Sequence, residues 1–546
     1  MRRVADPKSI ADKAPRVERR VALVVVGAGV TGVAAATEAA RAGVEVVLLD
    51  ENPIEHDLMA MDVPYLFGGR MSPSLKNRAL ALQRVAERDA GLAQADETGV
   101  DVQLGVSVWG AFRNGPTVRE LDGPMLGLSD GERSWLLGYD RLVVAAGARD
   151  LALGFAGWEQ AGVVGAQGAW SLLSRYRALA SRRMVVLGAG TLGLRTAALA
   201  LEQGVEVAGI VEVAPEVPGD PAAWRALERQ GVRAYPAHTV KAARGATGEV
   251  ESAVLVRLDG GGRPVAGSET ELACDTVCLA IGLVPNVELP GLLGCRLAFR
   301  SALGGFVPET DPWMETSVPG VFVAGDGAGL HEEMLAEPAI ARDQGRLAGI
   351  AAAASLGAVP RSRAEARCAD LAARRGAGPR EAHGDWRRWL LSLIEAGGWD
   401  VTACRCEEVT RRELVEVQPP RYLGPRFPAM RARGLATLLA DGPVDPDQVK
   451  RLTRAGMGPC QGRRCREQVA LLLAHAAGIP VERIPLATYR PPVRPLPLAV
   501  LWPHDEPEEM REHWVAWFGI PTQFAAQWKS GPAEPATAPS PLAVDK

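Results

Sequence analysis

The chain has 546 residues, with 61 Lys plus Arg against 65 Asp plus Glu (net charge −4), 47% hydrophobic and 23% charged residues. That length suggests about three or four domains, and the near-neutral charge excludes a general attraction to nucleic acid or to an anionic membrane surface. Eight cysteines exclude a disulfide-stapled secreted scaffold, and no apolar run reaches the ~18–20 residues of a membrane span, so the chain reads as soluble and cytoplasmic.

Residues 1–20 form a polar leader. A strand follows at Val21–Val26, then the turn Gly27-Ala-Gly-Val-Thr-Gly32, an Ala-rich helix to Arg41, and a second strand at Val44–Leu49 stopped by Asp50-Glu51. This β–turn–α–β order predicts a parallel sheet covered on both faces. Residues 52–100 read as helix and loop, and Val100–Val108 and Leu142–Ala146 as further strands. The pattern returns with a strand at Met184–Leu187, the turn Gly188-Ala-Gly-Thr-Leu-Gly193, a helix at Leu194–Gln203 and a strand at Val205–Val213. Gly27 to Gly43 and Gly188 to Gly204 both span 16 residues, which makes two copies of one nucleotide-binding unit. Thr276–Ile281 and Val321–Ala324 are later buried strands.

The expected organisation is a nucleotide-binding domain over 21–152 and 282–357, with a second one inserted at 153–281. A helical linker at 358–397 leads to a cysteine-bearing module at 398–490. A Pro- and Trp-containing segment at 491–529, extended at its start, and a disordered tail at 530–546 complete the chain.

Each glycine of the first turn has a physical task. Gly27 allows the tight turn, Gly29 lets the backbone approach a pyrophosphate, and Gly32 lets the helix pack closely on the strand. The helix start then offers free N–H groups and partial positive charge to phosphates. Asp50, 23 residues after Gly27, stands where an acidic residue accepts bonds from ribose hydroxyls. No Arg or Lys adjoins it in sequence, which argues against a 2′-phosphate. Gly188, Gly190 and Gly193 repeat the geometry, but the position 23 after Gly188 is Val211, and Glu212 comes one residue late. Such turns also form without a ligand.

Four of the eight cysteines form the pairs Cys404-Arg-Cys406 and Cys460-Gln-Gly-Arg-Arg-Cys465. Four thiolates in two close pairs complete the sulfur coordination of both irons of a [2Fe–2S] cluster, and a structural Zn2+ accepts the same four. Arg405, Arg463 and Arg464 would offset negative cluster charge. Cys274, Cys278, Cys295 and Cys368 read as buried thiols, so a dithiol relay is not expected.

The segment Glu315-Thr-Ser-Val-Pro-Gly-Val-Phe-Val-Ala-Gly-Asp326 resembles the one by which flavoproteins with two dinucleotide domains hold the flavin ribityl chain. Tyr139-Asp-Arg-Leu-Val-Val-Ala-Ala-Gly147 resembles their Ala-Thr-Gly motif, with Ala146 in place of Thr. The resemblance implies FAD at the first turn, held by Asp50 and its neighbour Glu51, by Gly147, and by Gly325 and Asp326, with the Val108 backbone facing the adenine. It implies NAD(P) at the second turn.

Combined with the cysteine module, these segments resemble the α (A) subunits of heteromeric FAD-dependent amine and imino-acid dehydrogenases. The A subunit of opine oxidase, the D-hydroxyproline dehydrogenase α subunit, the B subunit of hydrogen cyanide synthase and the N-terminal part of sarcosine oxidase α belong to that family. The resemblance covers about residues 20–490. It implies an α/β fold with two Rossmann-like domains of the disulfide-reductase-like flavoprotein type. The cysteine module then corresponds to a small, mostly α-helical [2Fe–2S] domain like bacterioferritin-associated ferredoxin (BFD). It further implies a partner β subunit of the D-amino-acid-oxidase type that oxidises a C–N bond, a small third subunit in some assemblies, and a downstream electron acceptor. An acceptor at the inner membrane would make the complex peripheral there. Some relatives hold FMN at the subunit interface, and NAD or ATP replaces FAD at the first site in others.

The chain departs from the family at Asn52–Phe67, at an insertion over Gln418–Asp445, and in a segment carrying Trp502, Trp514, Trp517 and Trp528. No catalytic acid or base is assigned. A self-sufficient NADH:acceptor oxidoreductase and a scaffold subunit with structural nucleotide sites remain as alternative readings.

Overall fold

Strand β1 (Val17–Val26) is almost wholly buried from Val21 onward, as a strand covered on both faces must be. In the computed structural model, which describes residues 17–54, 77–88, 90–115, 119, 121–374, 386–424 and 427–501, it starts inside the expected leader. Arg19 and Arg20 face partly outward and find Asp101 and the Tyr139 carbonyl, so polar residues are accommodated at the exposed end of the strand. Residues 1–16, 55–67 of the first departure, the four late tryptophans and the tail at 530–546 lie outside the described residues.

Helix α1 (Val30–Arg41) follows the first glycine turn and returns the chain to β2 (Val46–Asp50). With β3 (Asp101–Leu104), β4 (Ser107–Phe112), β5 (Met125–Ser129) and β6 (Ser134–Val144) they build a sheet in the order β3-β2-β1-β6-β5-β4. The β1 pairings with β2 and β6 are parallel, whereas β4, β5 and the first half of β6 form an antiparallel meander.

The second unit repeats the arrangement. Its strands β7 (Val163–Gly165), β8 (Arg183–Leu187), β9 (Glu206–Val211), β10 (Ala234–Tyr235) and β11 (Thr276–Leu279) lie in the order β10-β9-β8-β11-β7, all parallel. Helix α2 (Thr191–Glu202) occupies the place that α1 has in the first unit. The chain then returns to the first sheet through β12 (Val321–Val323), parallel to the second half of β6. Helix α3 (Pro338–Ser355) packs on α1, and Leu347 and Ala348 join Leu23, Val25, Ala35 and Ala36 in one core.

The expected linker is not a free connection. Helix α4 (Trp386–Gly397) buries Trp389, Leu390, Leu393 and Ile394 in the core of the second unit and the cysteine module. Its amphipathic pattern was legible, but the surface that receives it was not. Residues 17–497 form one compact unit.

In the cysteine module a small hairpin pairs Thr402–Cys404 with Val409–Thr410. Thr410 and Glu413 then close a reciprocal capping box at the start of helix Arg411–Val415, a device worth about 1 kcal/mol. Buried Arg411 donates to the carbonyls of Leu393, Gly398 and Gly154, tying this module to α4 and to the second unit. Helix α5 (Arg466–Ala477) starts immediately after Cys465 and is buried along most of its length.

Candidate functional site

β1 runs into Gly27, whose φ of +101° is left-handed, and a Cβ there would lie 2.2 Å from the Ala145 carbonyl oxygen. A Cβ on Gly32 would lie 1.7 Å from the Gly27 carbonyl oxygen, so α1 packs directly on the turn. At Gly29 nothing lies within 4 Å of such a Cβ, which is the room a phosphate needs to reach a helix start. The Asp50 carboxylate accepts the Ala28 N–H at 2.6 Å, the Asn52 N–H at 2.8 Å and Asn52 Nδ2 at 2.7 Å. It therefore clamps the turn to the end of β2 while keeping lone pairs for a ligand.

These groups share a cavity of 330 Å³. Gly27, Gly29, Asp50 and Glu51 line one part of it, and Val108, Gly147 and Asp326 another. Gly32 and Gly325 are not in its wall; they shape the backbone behind it, Gly325 donating its N–H to Gln344 Oε1 at 2.9 Å. Burial raises the Asp326 carboxyl above its ordinary value, against the opposing influence of His331. His331 itself faces the second glycine turn and is 2.9 Å from Glu333 through Nδ1.

Six charged residues that sequence reasoning did not assign to this site stand in the same wall: Arg149, Asp150, Arg175, Glu288, Arg463 and Arg494. Buried Arg149 donates to Glu288 and Glu467 at 2.7 Å each, and to Asn286 Oδ1 and the Arg463 carbonyl at 2.9 Å. Burial alone would lower this guanidinium, but the Glu288 and Glu467 carboxylates outweigh it and hold it above its ordinary value. Asp150 accepts the N–H groups of Gln167 at 2.8 Å and Gly168 at 3.2 Å, and burial pushes its carboxyl up to about 7. The adjacent charges Arg149-Asp150 at the end of an apolar run were a readable signal; Arg494 had none.

Arg494 comes from the Pro-rich segment. It pairs with Glu51, so the fold brings an arginine beside the acidic pair although none adjoins it in sequence. Val493 N–H donates to the Trp109 carbonyl at 2.8 Å, and Arg463 Nη1 donates to the Val493 carbonyl at 3.3 Å.

At the second turn, Gly188 (φ +108°) and Gly193 make the same close approaches as Gly27 and Gly32. Glu212 accepts the Ala189 N–H at 2.9 Å and the Ala214 N–H at 2.9 Å. It thus takes the clamp position of Asp50: Val211 pairs with Leu187 as Leu49 pairs with Val26, and a bulge between Val207 and Gly209 absorbs the one-residue delay. Burial raises its carboxyl above the ordinary value. The cavity here, which Gly188, Gly190 and Glu212 help to line, is only 110 Å³, because Trp386, Arg388 and Trp389 of α4 also form its wall.

All eight cysteines are free thiols. Cys404 and Cys406 sulfurs are 4.0 Å apart, Cys406 and Cys460 sulfurs 3.6 Å, and the Gly456 N–H donates to Cys404 at 3.3 Å. The hydrogen bond to Cys406 favours the Cys404 thiolate, but the bond from Cys465 and burial prevail and hold that thiol well above its ordinary value. The bond to Cys404 pushes Cys406 up to about 11, and the bond to Cys406, followed by burial, raises Cys460. Among the described residues no group of three or more His, Cys, Asp or Glu has the arrangement to hold a metal ion. The hydrogen bonds among the sulfurs run from Cys465 through Cys404 and Cys406 to Cys460. Cationic surroundings are nevertheless in place: burial and the neighbouring Arg464 lower the Arg405 guanidinium, and Arg463, Arg464 and Arg466 are buried.

Residues 20–354 match the family model described as pyridine nucleotide-disulphide oxidoreductase. The chain belongs to that family. Its membership makes it a flavin-dependent oxidoreductase. Residues 432–503 match the sarcosine oxidase A3 domain, which includes Cys460 and Cys465 but not Cys404 and Cys406. The chain is 27% identical over 508 residues to the A subunit of opine oxidase from Rhizobium meliloti, covering 88% of this chain and 86% of the relative. It is 26% identical to the HcnB subunit of hydrogen cyanide synthase from Pseudomonas aeruginosa, covering 86% and 98%. The crystal structure of L-proline dehydrogenase from P. horikoshii shares the fold, with a TM-score of 0.59 at 19% identity over 89% of this chain and 80% of that one. Among the described residues no helix is long and apolar enough to cross a membrane.

Proposed function

We propose that this chain is the electron-transferring subunit of a heteromeric dehydrogenase that oxidises the C–N bond of an amine, opine or imino acid. The observation that carries the reading is the shared wall of the first nucleotide cavity. Arg463, which stands between Cys460 and Cys465, lines the same cavity as Gly27, Gly29 and Asp326. A nucleotide held there would adjoin the cysteine module directly.

The residues divide the work. Gly29 and the start of α1 would receive a pyrophosphate, Asp50 a ribose, and Asp326 a ribityl hydroxyl of FAD; NAD or ATP would use the first two contacts only. Cys404, Cys406, Cys460 and Cys465 would hold a [2Fe–2S] cluster once their sulfurs part, and the surrounding guanidinium groups would offset its charge. Bound FAD exchanges electrons in pairs or singly and the cluster singly, which is the chemistry a two-electron substrate and a one-electron acceptor require. Arg149 spans the two sites by touching both Glu467 and the Arg463 carbonyl. The substrate would be oxidised on a partner of the D-amino-acid-oxidase type, with FMN at the interface and a small third subunit completing the assembly. The complex would work in the cytoplasm or at the inner face of the membrane.

The reading of an independent NADH:acceptor oxidoreductase fits less well, because Trp386 and Trp389 narrow the second cavity. Anaerobic NADH added to the purified chain should leave the flavin absorbance unchanged, whereas substrate plus the partner subunit should bleach it. Prompt bleaching by NADH alone would overturn the subunit reading. Replacing Cys460 with Ser should abolish the reduced-state [2Fe–2S] EPR signal and leave bound flavin in place; a retained signal would reject the ligand assignment.

A further inference from the structure

The two glycine turns match in geometry but not in the space beside them. Gly27 and Gly188 have φ of +101° and +108°. Cβ atoms on Gly32 and Gly193 would lie 1.7 Å and 1.9 Å from the carbonyl oxygens of Gly27 and Gly188. The first turn nevertheless opens on 330 Å³ and the second on 110 Å³. The second cavity has in its wall the start of α4, with Trp386, Arg388 and Trp389.

The indole of Trp386 is built into its place. A Cβ on Gly282 would lie 2.8 Å from the indole Nε1, and one on Gly305 would lie 2.7 Å from Cη2 at the other end of the ring system. Gly305 has φ +112° and needs glycine for its backbone. Gly282 has no such need, since its φ lies outside the left-handed region; the indole is what leaves no room for a side chain there. Phe299 meets the indole edge-on, with ring centroids 6.1 Å apart at 81°. The helix behind the indole is firmly anchored. Trp389, Leu390, Leu393 and Ile394 are buried, and Ser392 Oγ donates to Thr239 Oγ1 at 3.1 Å.

The position of this seat gives it a consequence. Gly282 and Trp386 line the same cavity as Gly188, Gly190 and Glu212. His331 lines it too, and acts electrostatically on Asp326, which lines the first cavity. The two cavities therefore meet at this pair, and a dinucleotide in the second would stand next to the first.

We propose that Trp386 determines which reductant this chain accepts: its indole occupies the second nucleotide site and shuts out NADH, and a chain without it binds that dinucleotide at the second turn. The Glu212 carboxylate suits ribose hydroxyls and repels a 2′-phosphate, which selects NADH over NADPH. With the site shut, electrons enter only from the partner subunit. That consequence rests on the subunit reading given above, whereas the block itself is a matter of binding alone.

The test is calorimetric titration of the full-length, flavin-loaded chain with NAD+, which takes the dinucleotide site and delivers no electrons. The parent chain should give no measurable binding. Trp386→Ala should bind NAD+ at least tenfold more tightly than the limit set by the parent. Adding Gly190→Val, at a position whose φ of −73° suits any residue, should abolish that gain by placing a side chain where the pyrophosphate meets the start of α2. Trp386→Leu keeps an apolar side chain against Phe299; it should show the same gain, and it decides the matter where the alanine variant fails to fold. A parent chain that binds NAD+ as tightly as the variants overturns the proposal, and so does a folded variant that gains no binding. A gain that survives Gly190→Val overturns it as well, because the dinucleotide would then sit elsewhere. None of these results touches the subunit reading, which is overturned separately, by NADH bleaching the parent chain's flavin.

Discussion

Arg149 offers the most direct test of the junction between the nucleotide cavity and the cysteine module. Its guanidinium is 9% exposed and pairs with Glu288 and Glu467, each 8% exposed. An exposed pair would be worth about 0–1 kcal/mol, but removing one partner of a buried pair costs about 3–5 kcal/mol because the other charge stays buried. Arg149→Met leaves both carboxylates buried without this cation and takes one N–H donor each from the Asn286 oxygen and the Arg463 carbonyl. The expected loss is therefore at the upper end, about 5 kcal/mol. The triple variant Arg149→Met, Glu288→Gln, Glu467→Gln removes the stranded charges and should recover more than half of it. Urea unfolding followed by tryptophan fluorescence reads both values from the midpoint and slope. A loss below about 1 kcal/mol in the single variant, or a triple variant no more stable than the single, would refute the argument that the pairs are buried and coupled.

Three further outcomes follow from the site. Asp150 has its folded pKa raised from an ordinary carboxyl value to about 7, so its contribution to stability is complete below about pH 4 and is lost as pH rises through 7. Asp150→Asn should flatten that part of the stability profile, gaining on the parent chain at pH 8 and not at pH 4, as urea midpoints at the two values would show. Gly458→Ala places a methyl group 2.5 Å from the Cys406 sulfur and should lower iron content per chain severalfold without changing flavin content, measured by iron assay and absorbance. Arg494→Ala breaks the pair with Glu51 and should speed release of the bound nucleotide several-fold in a fluorescence chase; an unchanged release rate would show that the Pro-rich segment plays no part in retention.

Legibility in the sequence followed the range of the interactions involved. Gly27, Gly29, Gly32 and Asp50 were readable because a tight turn, a helix start and a strand end lie within one short unit, where spacing alone dictates geometry. Glu212 looked misplaced by the same rule, since counting residues cannot see the bulge between Val207 and Gly209 that absorbs the extra residue; its carboxylate accepts the Ala189 N–H, as Asp50 accepts that of Ala28 at the first turn. Arg494 was invisible because its partner Glu51 is more than 440 residues away in the chain. The leader was misjudged at Val17–Arg20, where outward-facing polar residues are compatible with the exposed end of a strand.

By itself the sequence determined the two βαβ units and the family to which they belong, because each is written in local periodicity and spacing. Only the tertiary structure decided that α4 narrows the second cavity and that Arg463 shares a wall with the first glycine turn. It alone also placed Arg149 where it joins the two. These depend on which apolar surfaces found one another on folding, a choice made among many distant segments of similar composition and therefore not encoded in any one of them.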